Sequence, residues 1–388
     1  MLHDAHWDDE FPQNPDLCYL NHAAVAPWPQ RATDAVCSFA RENSLQGARD
    51  YPRWMQLEHR LRQQFKSLLN APSVDDIALV KNTSEALSLV AMGLDWVEGD
   101  EVLISDQEFP SNRIPWEALE GRGVTTRQVS LHQADPEAAL IAAMGPATRL
   151  LSISSVQYAS GLRMDLGRLG RACRERNILF CVDAIQSLGA EPFDVQSIDC
   201  DFAMADGHKW LLGPEGLGVF YCRSPARERL QLLQFGWHMV EALGDYDADQ
   251  WVPASTARRF EPGSPNTLAQ HALSASLSLL LEVGGPRIQE ALQQRTAYLL
   301  HSIGALPNAQ ILSPQEPGRR AGIVTFTFSG CDNAWLYRQL MEAGVVCAQR
   351  GGGIRWSPHF YTAQRVLDAA LSRLKTVLDR HRAINRPG

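Results

Sequence analysis

The chain has 388 residues, 45% of them hydrophobic and 21% charged, a globular composition that excludes a largely disordered or fibrous protein. Its 36 Lys and Arg residues against 44 Asp and Glu residues give a net charge of −8, so we expect no nucleic-acid partner and no anionic-membrane partner. No apolar run reaches the roughly 18 residues that a membrane span needs, and the polar start of the chain shows no signal-peptide pattern.

Short apolar runs alternate with stretches of helical period over the first two thirds of the chain. An amphipathic helix is predicted over 53–70, and helices 85–96 and 166–177 lie between the apolar runs. The apolar runs predict strands at 77–80, 101–105, 150–154, 178–182 and 217–221. This alternation favours a mainly parallel α/β sheet with helices on both faces. Ligands bind beyond the carboxyl ends of the strands in such sheets, so the residues after each run are the first candidates for a site.

The pattern changes after about residue 260. A helix is predicted over 267–283, strands over 322–328 and 344–347, and a final helix over 362–380. This order is typical of a smaller α+β domain. We therefore expect an N-terminal arm (1–20), a large domain (21–260) and a small C-terminal domain (261–388).

The eight cysteines form no C-x-x-C pair, and several lie inside apolar runs, as Cys181 does. Thiols in such positions are usually buried and unreactive. We expect free thiols in a reducing cytoplasm, and no metal site.

The most informative segment runs from 178 to 221. Asp183 follows a predicted strand, Gln186 comes three residues later, and Asp206-Gly-His-Lys-Trp210 precedes a glycine-rich turn at 213–218. Each piece alone has a plain explanation, because an Asp at a strand end often caps a helix and most lysines are solvated. The order of all the pieces is more specific than any one of them.

This order, together with the segments 19–24 and 355–361, resembles the class V group of fold-type I enzymes that use pyridoxal 5'-phosphate (PLP). The group contains class V aminotransferases, cysteine desulfurases, kynureninases and isopenicillin-N epimerases. The resemblance implies PLP as the cofactor and the fold-type I architecture. That architecture has a large domain with a mainly parallel sheet covered by helices, and a smaller α+β C-terminal domain.

The resemblance assigns roles around the cofactor ring. Lys209 would hold PLP as a Schiff base and carry protons once substrate displaces it. Asp183 would keep the pyridine nitrogen protonated, because a fixed carboxylate raises the pKa of that nitrogen. Gln186 would bond the phenolic oxygen, and the ring of Phe109 would stack on the cofactor.

Phosphate contacts are implied for Thr83, Ser84 and His208. Thr83 and Ser84 lie between a predicted strand and helix, where a plain helix cap would also explain them. Many family members have Ser where this chain has Asp206, and a carboxylate cannot donate to a phosphate, so Asp206 is left unassigned.

Ser264 and Asn266 match the family segment that reaches the phosphate of the partner subunit. The resemblance therefore implies a homodimer with shared active sites, although a turn and a helix cap would also suit this segment.

Substrate contacts are implied near the C-terminus and at two other places. Arg355 matches the arginine that binds the α-carboxylate of an amino acid, for which a planar guanidinium is well suited. Arg350 is a second candidate and would meet a side-chain group. Asn21, Gln157 and Tyr158 match other family active-site positions.

Two features depart from the cysteine desulfurases of the family. Those enzymes carry a mobile nucleophilic cysteine in the region of 351–354, where this chain has Gly-Gly-Gly-Ile, and they have His in place of Phe109. We therefore predict an aminotransferase in which Lys209 shuttles the proton. The alternative is a C–S β-elimination lyase or a desulfurase-like enzyme without the loop cysteine, and an amino acid epimerase is third. A PLP-binding regulator is the non-enzyme alternative, but residues 1–16 are too short and too acidic for a DNA-binding region.

Overall fold

The computed structural model describes residues 7–384. The α-helices are α1 (Gln30–Gln46), α2 (Tyr51–Leu69), α3 (Thr83–Gly93), α4 (Ile114–Glu117), α5 (Pro136–Ala143), α6 (Leu166–Glu175), α7 (Ser224–Arg227), α8 (Thr267–Val283), α9 (Gly285–Gly304), α10 (Asn333–Glu342) and α11 (Gln364–Ile384). The strands are β1 (Cys18–Tyr19), β2 (Ile77–Val80), β3 (Glu101–Ser105), β4 (Thr125–Val129), β5 (Thr148–Ser154), β6 (Leu179–Asp183), β7 (Phe202–Asp206), β8 (Gly218–Cys222), β9 (Ala309–Ile311), β10 (Val324–Phe328), β11 (Val345–Val346), β12 (Ala348–Arg350) and β13 (Gly353–Trp356).

A seven-stranded sheet in the order β2-β8-β7-β6-β5-β3-β4 forms the centre of the molecule. Strands β7, β6, β5, β3 and β4 are parallel, and β8 runs antiparallel to both of its neighbours. Alternate side chains of every strand except β4 enter two apolar cores on opposite faces, as Leu103 does on one face and Val102 on the other. The predicted α/β sheet with helices on both faces is confirmed.

The apolar runs locate most strands of this sheet but not all. The predicted strands 77–80 and 101–105 match β2 and β3, and the other three predicted strands differ from β5, β6 and β8 by one or two residues at their ends. β4 escaped prediction because it is an edge strand with largely exposed polar side chains. β7 escaped because its sequence, Phe-Ala-Met-Ala-Asp, is fully buried but only weakly apolar.

A second, four-stranded antiparallel sheet in the order β12-β13-β10-β9 lies in the C-terminal part of the chain. Its apolar face packs with α9, α10 and α11 in a third core. β1 pairs with β11 in parallel, so residues near the N-terminus join the C-terminal part. The long helix α9 was not predicted.

Helix α8 matches its predicted bounds, 267–283, and packs against α1 and α2. Leu273 and Leu277 of this helix belong to the same core as one face of the large sheet. The domain limits at 20 and 260 stay a prediction.

Among the described residues, no helix combines the length and the apolar character needed to cross a membrane. Six of the eight cysteines are buried free thiols, as expected, whereas Cys37 is exposed and Cys331 is half-buried.

Candidate active site

A cavity of about 230 Å³ lies beyond the carboxyl ends of the parallel strands. Ten of the fourteen predicted site residues line it: Thr83, Ser84, Phe109, Tyr158, Asp183, Gln186, His208, Lys209, Arg350 and Arg355. Most of them meet here because they lie at or just after the ends of strands of the large sheet, or at the start of α3, whereas Arg350 and Arg355 come from strands of the small sheet. Residues as far apart in the sequence as Thr83 and Arg355 therefore share one cavity.

Asp183 and Lys209 form the buried charged centre of the cavity. Asp183 ends β6, and Lys209 follows the neighbouring strand β7. Burial raises the pKa of Asp183, and a hydrogen bond from the Ile185 N–H and the charge of Lys209 oppose this rise. Burial also lowers the pKa of Lys209, against the charge of Asp183. The pair can hold a cationic ring nitrogen at the carboxylate and supply an amine that loses its proton readily.

The first turn of α3 forms part of the cavity wall. Asn82 is its cap, because Asn82 Oδ1 accepts a hydrogen bond from the Glu85 N–H at 2.9 Å. The hydroxyls of Thr83 and Ser84 are therefore not needed as caps. Thr83 Oγ1 is buried without a hydrogen-bond partner in the described part of the chain, and Ser84 Oγ donates to Ser111 Oγ at 2.8 Å. A free hydroxyl at a helix N-terminus suits a phosphate.

His208 lies beside the residue that the sequence left without a role. Its Nδ1 atom is 3.2 Å from Asp206 Oδ1, within ion-pair distance, and is buried without a hydrogen-bond partner among the described residues. The unpaired atoms of Thr83 and His208 and the Asp183–Lys209 pair fit the phosphate and the ring of PLP. The residues present are therefore suited to the predicted cofactor.

The amide of Gln186 is held in one orientation. Its Oε1 accepts from Trp210 Nε1 at 2.8 Å, and its Nε2 donates to the Ala23 carbonyl oxygen at 3.0 Å. The amide group has a second N–H, which is available to a ligand in the cavity. The contact with the phenolic oxygen of PLP stays a prediction.

Phe109 presents an apolar ring to the cavity. The side chain is 39% exposed and is therefore not a core residue. Its ring meets the Tyr158 ring edge to face with centroids 5.1 Å apart, and Lys209 Nζ lies 5.6 Å from the Phe109 ring centroid. The ring offers a stacking surface and no proton donor or acceptor.

Arg355 is a buried cation without an acidic partner within ion-pair distance in residues 7–384. Its Nη1 donates to the Tyr158 carbonyl oxygen at 2.7 Å, and its Nε is buried without a partner. Burial and the neighbouring charge of Arg350 lower the pKa of Arg355 to about 10. A buried guanidinium with unused donors is suited to an anionic group of a substrate.

Arg350 and Arg355 lie on the two strands of one hairpin. Ala348 pairs with Arg355, and Arg350 pairs with Gly353, so the two arginines are diagonal neighbours on the same face of the sheet. The hairpin is closed by Gly351 and Gly352, which have φ angles of 57° and 77°. Two successive residues with positive φ are typical of a tight two-residue turn.

Four predicted site residues do not line the cavity. Gln157 is buried behind it and donates from Nε2 to Glu108 Oε1 at 3.3 Å, and Asn21 Oδ1 is buried without a hydrogen-bond partner among residues 7–384. Ser264 and Asn266 are exposed, and Asn266 caps α8 by accepting from the Ala269 N–H at 3.1 Å. The functional roles of these four residues stay predictions.

Sequence reasoning missed Glu108 and Ser111. Ser111 lines the cavity and meets Ser84, whereas Glu108 is a buried carboxylate directly behind Phe109. A charged residue between a strand end and an aromatic residue was the available signal for Glu108.

Comparison with known proteins places these features in a family. The family model for class-V aminotransferases matches residues 18–364. A protein of Methanothermobacter thermautotrophicus named probable cysteine desulfurase is 30% identical over an alignment of 370 positions that covers 89% of this chain and 91% of that protein.

Two solved structures of C-DES are similar throughout. A lysine-to-alanine mutant with glycine covalently linked to its PLP cofactor gives a TM-score of 0.88 at 25% identity, covering 95% of this chain and 98% of that one. The complex of the cystine C–S lyase C-DES with its product, cysteine persulfide, gives 0.87 at 26% identity, covering 94% and 98%. The matches confirm the predicted family, the fold-type I class and PLP as the cofactor.

Proposed function

Because this chain belongs to the class-V aminotransferase family, we propose that it is a PLP-dependent C–S lyase, which eliminates the sulfur substituent from Cβ of a cysteine-type amino acid. This is the alternative of the sequence-based prediction, not the aminotransferase that it preferred. The names of the relatives and neighbours support the change, because they are cysteine desulfurases and a cystine C–S lyase. Under this proposal the fourteen site residues keep the roles that the resemblance implies.

The tight hairpin beside the cavity favours a lyase over a desulfurase. A desulfurase that transfers sulfur to itself needs a thiol in this segment, and here the segment is a two-residue glycine turn. A Cβ atom at Gly351 would lie 2.9 Å from Ala159 Cβ, and one at Gly353 would lie 2.4 Å from the Phe326 carbonyl oxygen. The turn therefore leaves little room for a side chain at either position.

The cysteines of the chain offer no substitute acceptor. All eight lie in the described residues, and none lines the cavity. Cys347 is the cysteine nearest in sequence to the hairpin, and burial raises its pKa to about 12. Because a thiol with so high a pKa is a poor nucleophile, we propose that the sulfur leaves with a small-molecule product.

The residues of the cavity can carry out this elimination. Bound PLP supplies the electron sink that stabilises negative charge at Cα. Asp183 binds the ring nitrogen, and Arg355 binds the α-carboxylate and so orients Cα. Lys209 Nζ takes the proton from Cα, the electron pair of that C–H bond forms the Cα–Cβ double bond, and the C–S bond breaks with its electron pair on sulfur.

The Phe109 ring limits the leaving group. It has no proton to give to the departing sulfur, where desulfurases of the family have a histidine. The substrate should therefore carry a sulfur group that is stable as an anion without protonation, such as the disulfide group of cystine, from which cleavage of the Cβ–S bond expels a persulfide anion.

An experiment with excess amino acid and no keto acid acceptor tests the reaction type. The holoenzyme is mixed with cystine, cysteine and S-substituted cysteines, and pyruvate, sulfur products and the extracted cofactor are measured. A lyase releases pyruvate over many turnovers and keeps its cofactor as PLP. An aminotransferase stops after one turnover with the cofactor recovered as pyridoxamine phosphate, and an epimerase yields only the mirror-image amino acid. Either of the last two results would contradict the proposal, and the Lys209→Ala protein is the control for uncatalysed breakdown.

The quaternary structure and the compartment belong to the same proposal. Ser264 and Asn266 are exposed at the start of α8, which is consistent with contacts to a second copy of the chain. We propose a homodimer in which these residues reach the partner's phosphate site. Free thiols are consistent with a reducing cytoplasm.

A further inference from the structure

Glu108 is a buried carboxylate that the proposed reaction does not use. It lies between the end of β3 and the turn that carries Phe109, and only 7% of its surface is exposed. Within the part of the chain that the structure describes, it has no cation within ion-pair distance. A buried carboxylate without a cation is costly unless hydrogen bonds satisfy it.

Four side chains and one backbone group satisfy the Glu108 carboxylate. Oε1 accepts from Ser105 Oγ at 2.6 Å and from Gln157 Nε2 at 3.3 Å. Oε2 accepts from Asn112 Nδ2 at 2.8 Å, from the Ser154 N–H at 3.1 Å, and from the Ser154 hydroxyl. All of these groups donate, which fits an ionised carboxylate that can only accept.

The donors come from separate elements around the cavity. Ser105 ends β3, Ser154 ends β5, and Asn112 ends the short 3₁₀ turn after Phe109. Asn112 is itself held, because its Oδ1 accepts from Trp116 Nε1 at 3.1 Å. Glu108 thus joins two strand ends to the turn, and Phe109 is fixed between two anchored residues.

We propose that Glu108 is a positioning residue of the cofactor site, which ties the turn that carries Phe109 to the strand end beside Asp183. Ser154, which donates twice to Glu108, lies opposite Asp183 in the pairing of β5 with β6. The Glu108 carboxylate therefore helps to fix the position of the Phe109 ring and of the strand end that pairs with Asp183. This inference rests on the PLP site and holds whichever reaction the enzyme catalyses.

The negative charge of Glu108 affects the pKa of Asp183. Together with burial, it raises the pKa of Asp183, while Lys209 and the Ile185 N–H act in the opposite direction. The Cys181 thiol, two residues earlier on β6, is also coupled to Asp183 but is neutral because burial keeps its pKa high. The charge of Asp206 raises the pKa of Lys209, and the charges of Arg350 and Arg355 lower it. Asp183 therefore takes up a proton, and loses its hold on the ring nitrogen, at a higher pH than it would without Glu108.

Two variants separate the charge of Glu108 from its shape. Glu108→Gln removes the charge and keeps the size, and Glu108→Asp keeps the charge but cannot reach all the donors. Glu117→Gln is the matched control, because Glu117 lies in the following helix α4 and pairs with Arg113. The measurement is the release of PLP from the holoenzyme during equilibrium dialysis between pH 5 and 9, read by absorbance.

For Glu108→Gln we expect the acid midpoint of PLP release to move down by about half a pH unit or more. For Glu108→Asp we expect the wild-type midpoint with PLP affinity about tenfold weaker at pH 8, because hydrogen bonds to the turn are lost. Glu117→Gln should match the wild type in both.

The proposal is overturned if the midpoint of Glu108→Gln stays at the wild-type value, even if the affinity falls, because a purely structural residue would behave in that way. It is also overturned if Glu108→Asp binds PLP as the wild type does. Should Glu108→Gln fail to fold, Ser154→Ala removes one donor only, and unchanged PLP affinity in that variant would contradict the proposal.

Discussion

Arg355 donates a hydrogen bond from Nη1 to the carbonyl oxygen of Tyr158 at 2.7 Å, and this contact joins the small sheet to the segment that follows β5 of the large sheet. One donor of the guanidinium is thus used to fix its position. The Nε donor has no partner in the described residues and is free for a substrate.

We expect Arg355→Lys to raise KM for amino acid substrates by about tenfold or more, with a smaller change in kcat. An ammonium group cannot hold Tyr158 and a carboxylate with the two-pronged geometry of a guanidinium. Steady-state kinetics checks this, with Arg168→Lys as the control, since Arg168 pairs with Asp135 at the surface. An unchanged KM would indicate that Arg350, not Arg355, binds the substrate carboxylate.

Lys209→Ala should remove the covalent attachment of PLP. In the wild type, borohydride reduction should attach the cofactor to one peptide, the one that contains Lys209, because Lys209 is the lysine that lines the cavity. Mass spectrometry of the reduced digest identifies the site. Reduction onto any other lysine would show that the assignment is wrong.

We expect Asp183→Asn to keep PLP on Lys209 with a weaker affinity than the wild type and, at saturating PLP, to lose roughly a hundredfold or more in kcat. The amide keeps the shape and the contact to the Ile185 N–H but has no charge to hold the proton on the ring nitrogen. PLP content and kcat are measured on the same preparation. A rate within a few-fold of the wild type would rule out this role for Asp183.

How far the site could be predicted depends on how local each signal is. Asp183, Lys209 and Thr83 could be found because each follows an apolar run or lies in a short motif, and strand ends meet at one edge of a parallel sheet. The contacts of Glu108 with Ser154 and Gln157 could not be predicted in this way, because these two residues lie more than 45 residues away in the sequence. Likewise, the contact of Arg355 with Tyr158 spans 197 residues and depends on how the two sheets pack.

Buried histidines should make the fold sensitive to acid. His22 bonds the Ser357 carbonyl oxygen at 2.8 Å and the Tyr361 hydroxyl at 2.7 Å, and burial lowers its pKa to about 4. The unfolded chain takes up this proton below its ordinary pKa of about 6.5, whereas the folded chain does not until about pH 4. The free energy of unfolding should therefore fall as the pH drops from 6.5 to 4, by about 1.4 kcal/mol per pH unit from this group.

Urea denaturation at a series of pH values checks the acid sensitivity. His22→Gln should be less stable at pH 7 because it loses good hydrogen bonds, but its stability should fall less steeply between pH 6.5 and 4. The exposed His301 provides the control variant, His301→Gln, which should keep the wild-type slope. Equal slopes in His22→Gln and the wild type would show that His22 is not the group responsible.

The shared active site of the proposed homodimer can be tested by mixing inactive variants. Asn266→Asp should keep the cap of α8, because Asp accepts the Ala269 N–H as Asn does, but it places a negative charge against the partner's phosphate. A heterodimer of this variant with Lys209→Ala has one site with both native residues. After random exchange of subunits, activity should therefore recover to about a quarter of the wild type.

Mixing Lys209→Ala with Asp183→Asn is the control, because both residues come from the same chain and neither site of that heterodimer is native. No recovery in the first mixture, or equal recovery in both, would show that Asn266 does not act across the interface.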